Sequence, residues 1–160
     1  MSVEKGFKAG MPYIYKKAPE DLIMFGFVRG ITCNFSGASE ADGVRAFMSA
    51  FNISEDEFLF STAYYIYAKM KREFPDVCAC KNRKQAPVYT GLRGMIQKEA
   101  ENWIMFGYVE GMARSFPSMQ NDVLKMLKMW LQMMGLPQDE LFDRHEAFKS
   151  MRQQYSKLFK

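Results

Sequence analysis

The chain has 160 residues, 48% of them apolar and 15% aromatic, which excludes a disordered segment and fits one domain or two small lobes sharing a core. No run approaches the roughly 18 consecutive apolar residues of a membrane span, and the first fifteen residues or so lack the apolar stretch and small-residue cleavage site of a secretory leader. The net charge of +4 is modest, and three cysteines with an awkward Cys78-x-Cys80 spacing argue against a disulfide framework and for a reducing, cytoplasmic setting.

Residues 1–17 read as a basic arm, with Lys5, Lys8, Lys16 and Lys17 against Glu4. Residues 18–74 read as a first helical repeat. Its first helix is predicted over 19–35, with Pro19 at the first helical position and Glu20 and Asp21 in the first turn. The second, over 39–51, starts at a Ser39 cap and buries Val44, Phe47, Met48 and Phe51 at helical spacing. Asn52 suits a left-handed position after it. The third is predicted from Ser54, with Glu57 completing a capping box, to Phe74, where Pro75 stops it.

Residues 75–94 form a connector, and the bases Lys81, Arg83, Lys84 and Arg93 collect there. Residues 95–160 read as a second repeat, with helices over 95–115, 119–134 and 138–158. Pro117 follows the first of these, Gly135 ends the second and Pro137 opens the third. The fold class expected is all-α: about six helices as two tandem three-helix repeats in a pseudo-two-fold arrangement.

The repeat rests on two segments. Ile23-Met24-Phe25-Gly26-Phe27-Val28-Arg29-Gly30 matches Ile104-Met105-Phe106-Gly107-Tyr108-Val109-Glu110-Gly111 at six of eight positions. Phe51 to Phe58 then aligns with Met134 to Leu141, the offset drifting from 81 to 83, and both copies run through a long helix to Phe74 and Phe159. Each mid-helix glycine costs about 1 kcal/mol relative to alanine, so four of them need a compensating contact. The pairs Gly26/Gly30 and Gly107/Gly111 are expected to let the two first helices cross closely, with Arg29 and Glu110 pairing beside the crossing. The third and fifth helices are apolar around much of their circumference, which suggests central burial or an interface. Phe58, Phe60, Tyr64, Tyr65, Trp130 and Met133 are the candidate interface residues.

Chemistry is sparse. His145 is the only histidine and stands in a charged run of the last helix. Cys78 and Cys80 lack a second close ligand pair for zinc, so no metal is expected. No phosphate-loop pattern occurs, and the carboxylates at helix starts are explained by the helix dipole. No enzyme activity, cofactor or small-molecule substrate is inferred. A helix-turn-helix around Phe51–Ser54 would present Glu55, Asp56 and Glu57 to the phosphates, and Asp139 and Glu140 in the second copy, which repels DNA.

The expectation is a non-enzymatic α-helical interaction or assembly protein, with a protein partner or further copies of itself; small accessory proteins of phages and mobile elements answer that description. The alternative is a nucleic-acid-binding protein that contacts phosphates of DNA or RNA through Lys81, Arg83, Lys84 and Arg93, helped by Lys16 and Lys17 of the arm.

Overall fold

A computed structural model describes residues 18–35, 37–54, 56–75, 77 and 91–155, the Arg93 side chain excepted. Among them are six α-helices: α1 Pro19–Asn34, α2 Glu40–Ala50, α3 Glu57–Glu73, α4 Gly91–Ser115, α5 Val123–Met134 and α6 Leu141–Tyr155. Two short 3-10 turns, Pro117–Met119 and Gln138–Glu140, stand between α4 and α5 and ahead of α6. No strand occurs among the described residues.

Local chemistry sets the helix ends. Pro19 opens α1 with Glu20 and Asp21 in its first turn. The Ser39 hydroxyl accepts from the Asp42 backbone N–H at 3.1 Å, and the Asp122 carboxylate accepts from Lys125 at 3.3 Å to cap α5 in the same way. Asn52 and Gly135 both take left-handed φ, 59° and 68°. After each, the chain folds back identically: Ile53 N–H donates to the Met48 carbonyl at 2.8 Å, and Leu136 N–H to the Leu131 carbonyl at 2.9 Å. The start of α3 differs from expectation. Asp56, not Ser54, is its cap, accepting from Phe58 N–H at 2.6 Å. A carboxylate accepts from two free N–H groups and complements the dipole, which outcompetes the hydroxyl two residues earlier.

The centre is the crossing of α1 and α4. A Cβ added to Gly26 would enter the Ile104 carbonyl and stand 2.9 Å from the Tyr108 nitrogen; one added to Gly107 would enter the Ile23 carbonyl and stand 2.9 Å from the Phe27 nitrogen. Gly30 faces the Tyr108 backbone and Gly111 faces the Phe27 backbone in the same close manner. The two helix backbones touch, so the missing side chains are what permits the approach. Asn34 stitches the ends, its amide donating to the Gly30 carbonyl at 2.8 Å and to the Tyr108 hydroxyl at 3.0 Å.

α2 and α3 pack over α1, and α5 and α6 pack over α4. Aromatic contacts recur across these layers. Phe27 meets Phe47 at 5.5 Å between centroids, and Tyr108 meets Trp130 at 5.5 Å. Phe25 meets Tyr67 at 5.7 Å and Phe74 at 6.1 Å; Phe106 meets Phe148 at 5.5 Å and Tyr155 at 6.4 Å. The counterpart of Phe74 in these contacts is therefore Tyr155, not Phe159, which lies outside the described residues. Between α2 and α5 the offset is 83, but from α3 to α6 it is again 81. The chain ahead of α5 is two residues longer than that ahead of α2, and the turn after α5 is two residues shorter.

The helices buried on nearly every side are α1 and α4, where Leu22–Val28 and Trp103–Ala113 are buried continuously, rather than α3. Backbone contact at the glycines sinks both helices to the centre, whereas α3 keeps one face outside. Cys33, in the last turn of α1, is disulfide-bonded, against the expectation from the cysteine count. An odd count excludes only full pairing, not one bridge; Cys78 and Cys80 lie outside the described residues.

Candidate interaction surface

Two polar clusters tie the outer helices to the central pair. In the first, Glu40 of α2 accepts from the Tyr67 hydroxyl at 2.6 Å and from Lys71 at 2.9 Å, both on α3. Arg29 of α1 closes it, 3.4 Å from the Tyr67 oxygen, 3.9 Å from Glu40 and 3.3 Å from the Val77 carbonyl. Burial alone would raise the Glu40 pKa. The hydrogen bonds from Tyr67 and Lys71, with the charges of Lys71 and Arg29, more than offset it and hold the carboxyl below its ordinary value. Burial, then the bond to Glu40, pushes the Tyr67 hydroxyl well above the usual phenol range.

In the second cluster Glu110 of α4 pairs with Arg152 of α6 at 3.1 Å and with Arg114 at 3.6 Å. Arg29 and Glu110, expected to pair with each other, thus take partners in their own halves. The position that carries Lys71 in α3 carries Arg152 in α6. The acid that meets the base comes from α2 in one half and from α4 in the other, so the reversal at 29/110 keeps each base answered. Arg144 is 1% exposed, donates to Asn102 and meets Glu140 at 3.3 Å. These clusters are internal braces.

His145 is half-buried on α6. Among the described residues no three His, Cys, Asp or Glu side chains come together as a metal site. Lys81, Lys84, Arg83, Lys16 and Lys17 lie outside the described residues, as does the Arg93 side chain on α4.

The interface candidates divide. Trp130 is 0% exposed and belongs to the core of its half, so it offers no surface. Met133 is half-buried against the same core. The fifth helix is two-faced: Met126, Leu127, Trp130, Leu131 and Met134 are buried, Lys125, Lys128 and Gln132 are exposed, and Leu124 is its one well-exposed large apolar side chain. Phe60 is half-buried under the Arg45 guanidinium, 3.8 Å above its ring, and Tyr64 packs between Phe60 and Tyr67.

Phe58 and Tyr65 remain, 75% and 61% exposed. Their spacing of seven residues puts them on one face of α3, together with Thr62, Lys69 and Arg72. The Lys69 ammonium lies 5.5 Å from the Tyr65 ring centroid. Leu59 and Ile53 add partly exposed apolar area at its N-terminal end. The opposite side of α3 buries Ile66, Tyr67 and Met70. The face is therefore aromatic at one end, basic at the other, and covered by nothing among the described residues.

The 81-residue counterparts of this face lie on and just ahead of α6: Asp139, Asp143, Glu146, Ser150 and Gln153, all exposed. Phe142, 72% exposed, flanks them. Glu146 pairs with Lys149 at 2.9 Å, and that hydrogen bond lowers its pKa. The interior contacts thus recur between the halves while the outer faces have opposite chemistry. The contrast is visible in the sequence when positions 58–72 are set against those 81 residues later. No protein-family model, curated protein or solved structure matches this chain.

Proposed function

We propose that this chain is a non-enzymatic α-helical interaction and assembly protein whose working surface is the exposed face of α3. One observation carries this. Phe58 and Tyr65 stand in solvent on one face of a helix whose opposite side is packed, beside the bases Lys69 and Arg72. Aromatic side chains and arginine are enriched in protein interfaces, whereas lysine belongs to their rim. Single exposed apolar residues are common, but aligned ones seven positions apart make a patch.

The halves, in this account, are diverged copies of one three-helix unit about a pseudo-two-fold axis. The reciprocal glycine contacts, the matching caps at Ser39 and Asp122 and the recurring aromatic pairs support it. Duplication frees one copy's surface to change while the packed interior is kept.

A photo-crosslinking residue at Ser61, which flanks the aromatic face, tests the surface in the cells the protein comes from. A discrete protein adduct from position 61, and none from the exposed control position Gln120, is the expected result. No adduct at 61, or the same adducts from both positions, contradicts it. The cytoplasmic setting and the Cys33 disulfide pull against each other, because cytosolic thiols are kept reduced. Thiol trapping in intact cells decides between them.

The second proposal, phosphate contact through the basic connector and arm, is favoured by the +4 charge of residues 75–98 and the +3 of residues 1–17. The acids Asp56 and Asp139 at the corner positions weigh against a base-reading helix. A gel shift with steep salt dependence, lost when Lys81, Arg83 and Lys84 become alanine, is its test.

A further inference from the structure

We infer that the partner of the α3 face is the α6 face of a second copy of this chain. This pairing presupposes the interaction surface proposed above and names what covers it. Charge complementarity carries it. The α3 face ends in Lys69 and Arg72, and the α6 face begins with Asp139, Asp143 and Glu146, all of the latter exposed. Like-charged faces would repel; these two attract.

The order of residues along each helix fixes the orientation. The bases lie toward the C-terminus of α3, and the acids lie at the N-terminus of α6. Antiparallel docking brings Lys69 beside Asp143 and Arg72 beside Asp139. Lys69 and Arg72 are three residues apart, Asp139 and Asp143 four, so the spans are about 4.5 and 6 Å and within side-chain reach of each other. The same docking sets the negative end of one helix dipole beside the positive end of the other. Tyr65 then lies over Glu146 and the Lys149 stem, and Phe58 over the exposed, uncharged Ser150, Gln153 and Gln154, with Arg152 held by Glu110. Lys149 already engages Glu146, which leaves Asp139 and Asp143 as the principal acids of the contact.

The two faces are different and lie over different central helices, α3 against α1 and α6 against α4. The contact therefore joins unlike faces, and each copy carries both: two copies that exchange both contacts close a dimer, and copies that pass them on build a ring or a row. The internal divergence supplies what a symmetric copy could not: a face and its complement on one chain.

Sedimentation equilibrium of the full chain tests this. The average mass is expected to rise with concentration and to fall as salt goes from about 0.05 to 0.5 M, because exposed charges are screened. Lys69→Glu with Arg72→Glu, or Asp139→Lys with Asp143→Lys, each weakens association roughly tenfold or more, since each places like charges opposite one another. All four substitutions together restore it, with circular dichroism melts checking that every variant is folded. Two reversed pairs that associate as the native chain does, or a fourfold variant that stays dissociated while folded, would overturn the pairing. A chain that is monomeric at every concentration also overturns it, while the crosslink from position 61 still judges the α3 surface. Association lost in Phe58→Ser but indifferent to the acidic substitutions overturns α6 as partner and keeps α3 as a docking face.

Discussion

Phe35 and Phe116, the residues directly after α1 and α4 and 81 positions apart, meet ring to ring with centroids 6.1 Å apart and planes at 61°. The two rings close the ends of α1 and α4 against each other. Gly26 and Gly107, also 81 positions apart, each stand against the backbone of the other helix. The interior is therefore constrained from both halves at once, and the outer faces are not.

Gly26→Ala and Gly107→Ala each destabilise the whole fold. Alanine in a helix interior gains about 1 kcal/mol over glycine, so a surface site would be stabilised. Here the new Cβ meets backbone, which cannot rotate away, and α1 and α4 have to separate along their length. Urea denaturation should show a net loss in both variants. An unchanged or raised midpoint refutes the close crossing.

Glu40 sets an acid limb of stability. Its folded pKa is lowered, so its contribution is present above the unfolded value, near 4.3, and is lost as pH falls through the folded value. Glu40→Gln flattens that limb. Tyr67 has a raised pKa, so its contribution is present below about 10 and is lost as pH rises beyond it. Tyr67→Phe flattens the alkaline limb. Thermal melts across pH read both, and limbs identical to the native chain contradict the cluster.

Trp130→Phe is mild and Trp130→Ala is severe. The indole Nε1 is buried without a hydrogen-bond partner among the described residues, so losing it removes an unsatisfied donor along with some packing volume. The result resembles the Phe27–Phe47 contact of the other half. Truncation to alanine leaves a cavity worth about 3–5 kcal/mol. Equal losses in the two variants would show that the indole nitrogen is satisfied.

Cys33 resists alkylation before reduction and accepts it afterwards. Mass spectrometry of the peptide carrying Cys33, labelled before and after dithiothreitol, reads this. Labelling of Cys33 in the unreduced protein contradicts the bond.

Features with a local cause were legible in the sequence. Pro19, Ser39, Asn52 and Gly135 act within one turn of the chain, and each sits as its residue type requires. The glycine crossing was legible because four mid-helix glycines have no local justification. Partners set by tertiary distance were not. Glu110 finds Arg152, 42 residues away, and nothing in the spacing marks that pair over Arg29. The exposed face was half legible. Apolar residues all round a helix say that something covers them, but not which are covered by this chain. Trp130 and Phe58 look alike in sequence, and only packing puts one inside and the other in solvent.

The most direct test of the α3 surface is to give it the residues of its counterpart: Phe58→Asp, Thr62→Asp and Tyr65→Glu in one chain. If the face is a working surface, denaturation stability stays within about 0.5 kcal/mol of the native chain, as for exposed positions. The crosslink from position 61 disappears in the same variant. Stability falling by more than about 2 kcal/mol would place these residues in the core, and a crosslink that persists unchanged would place the function elsewhere.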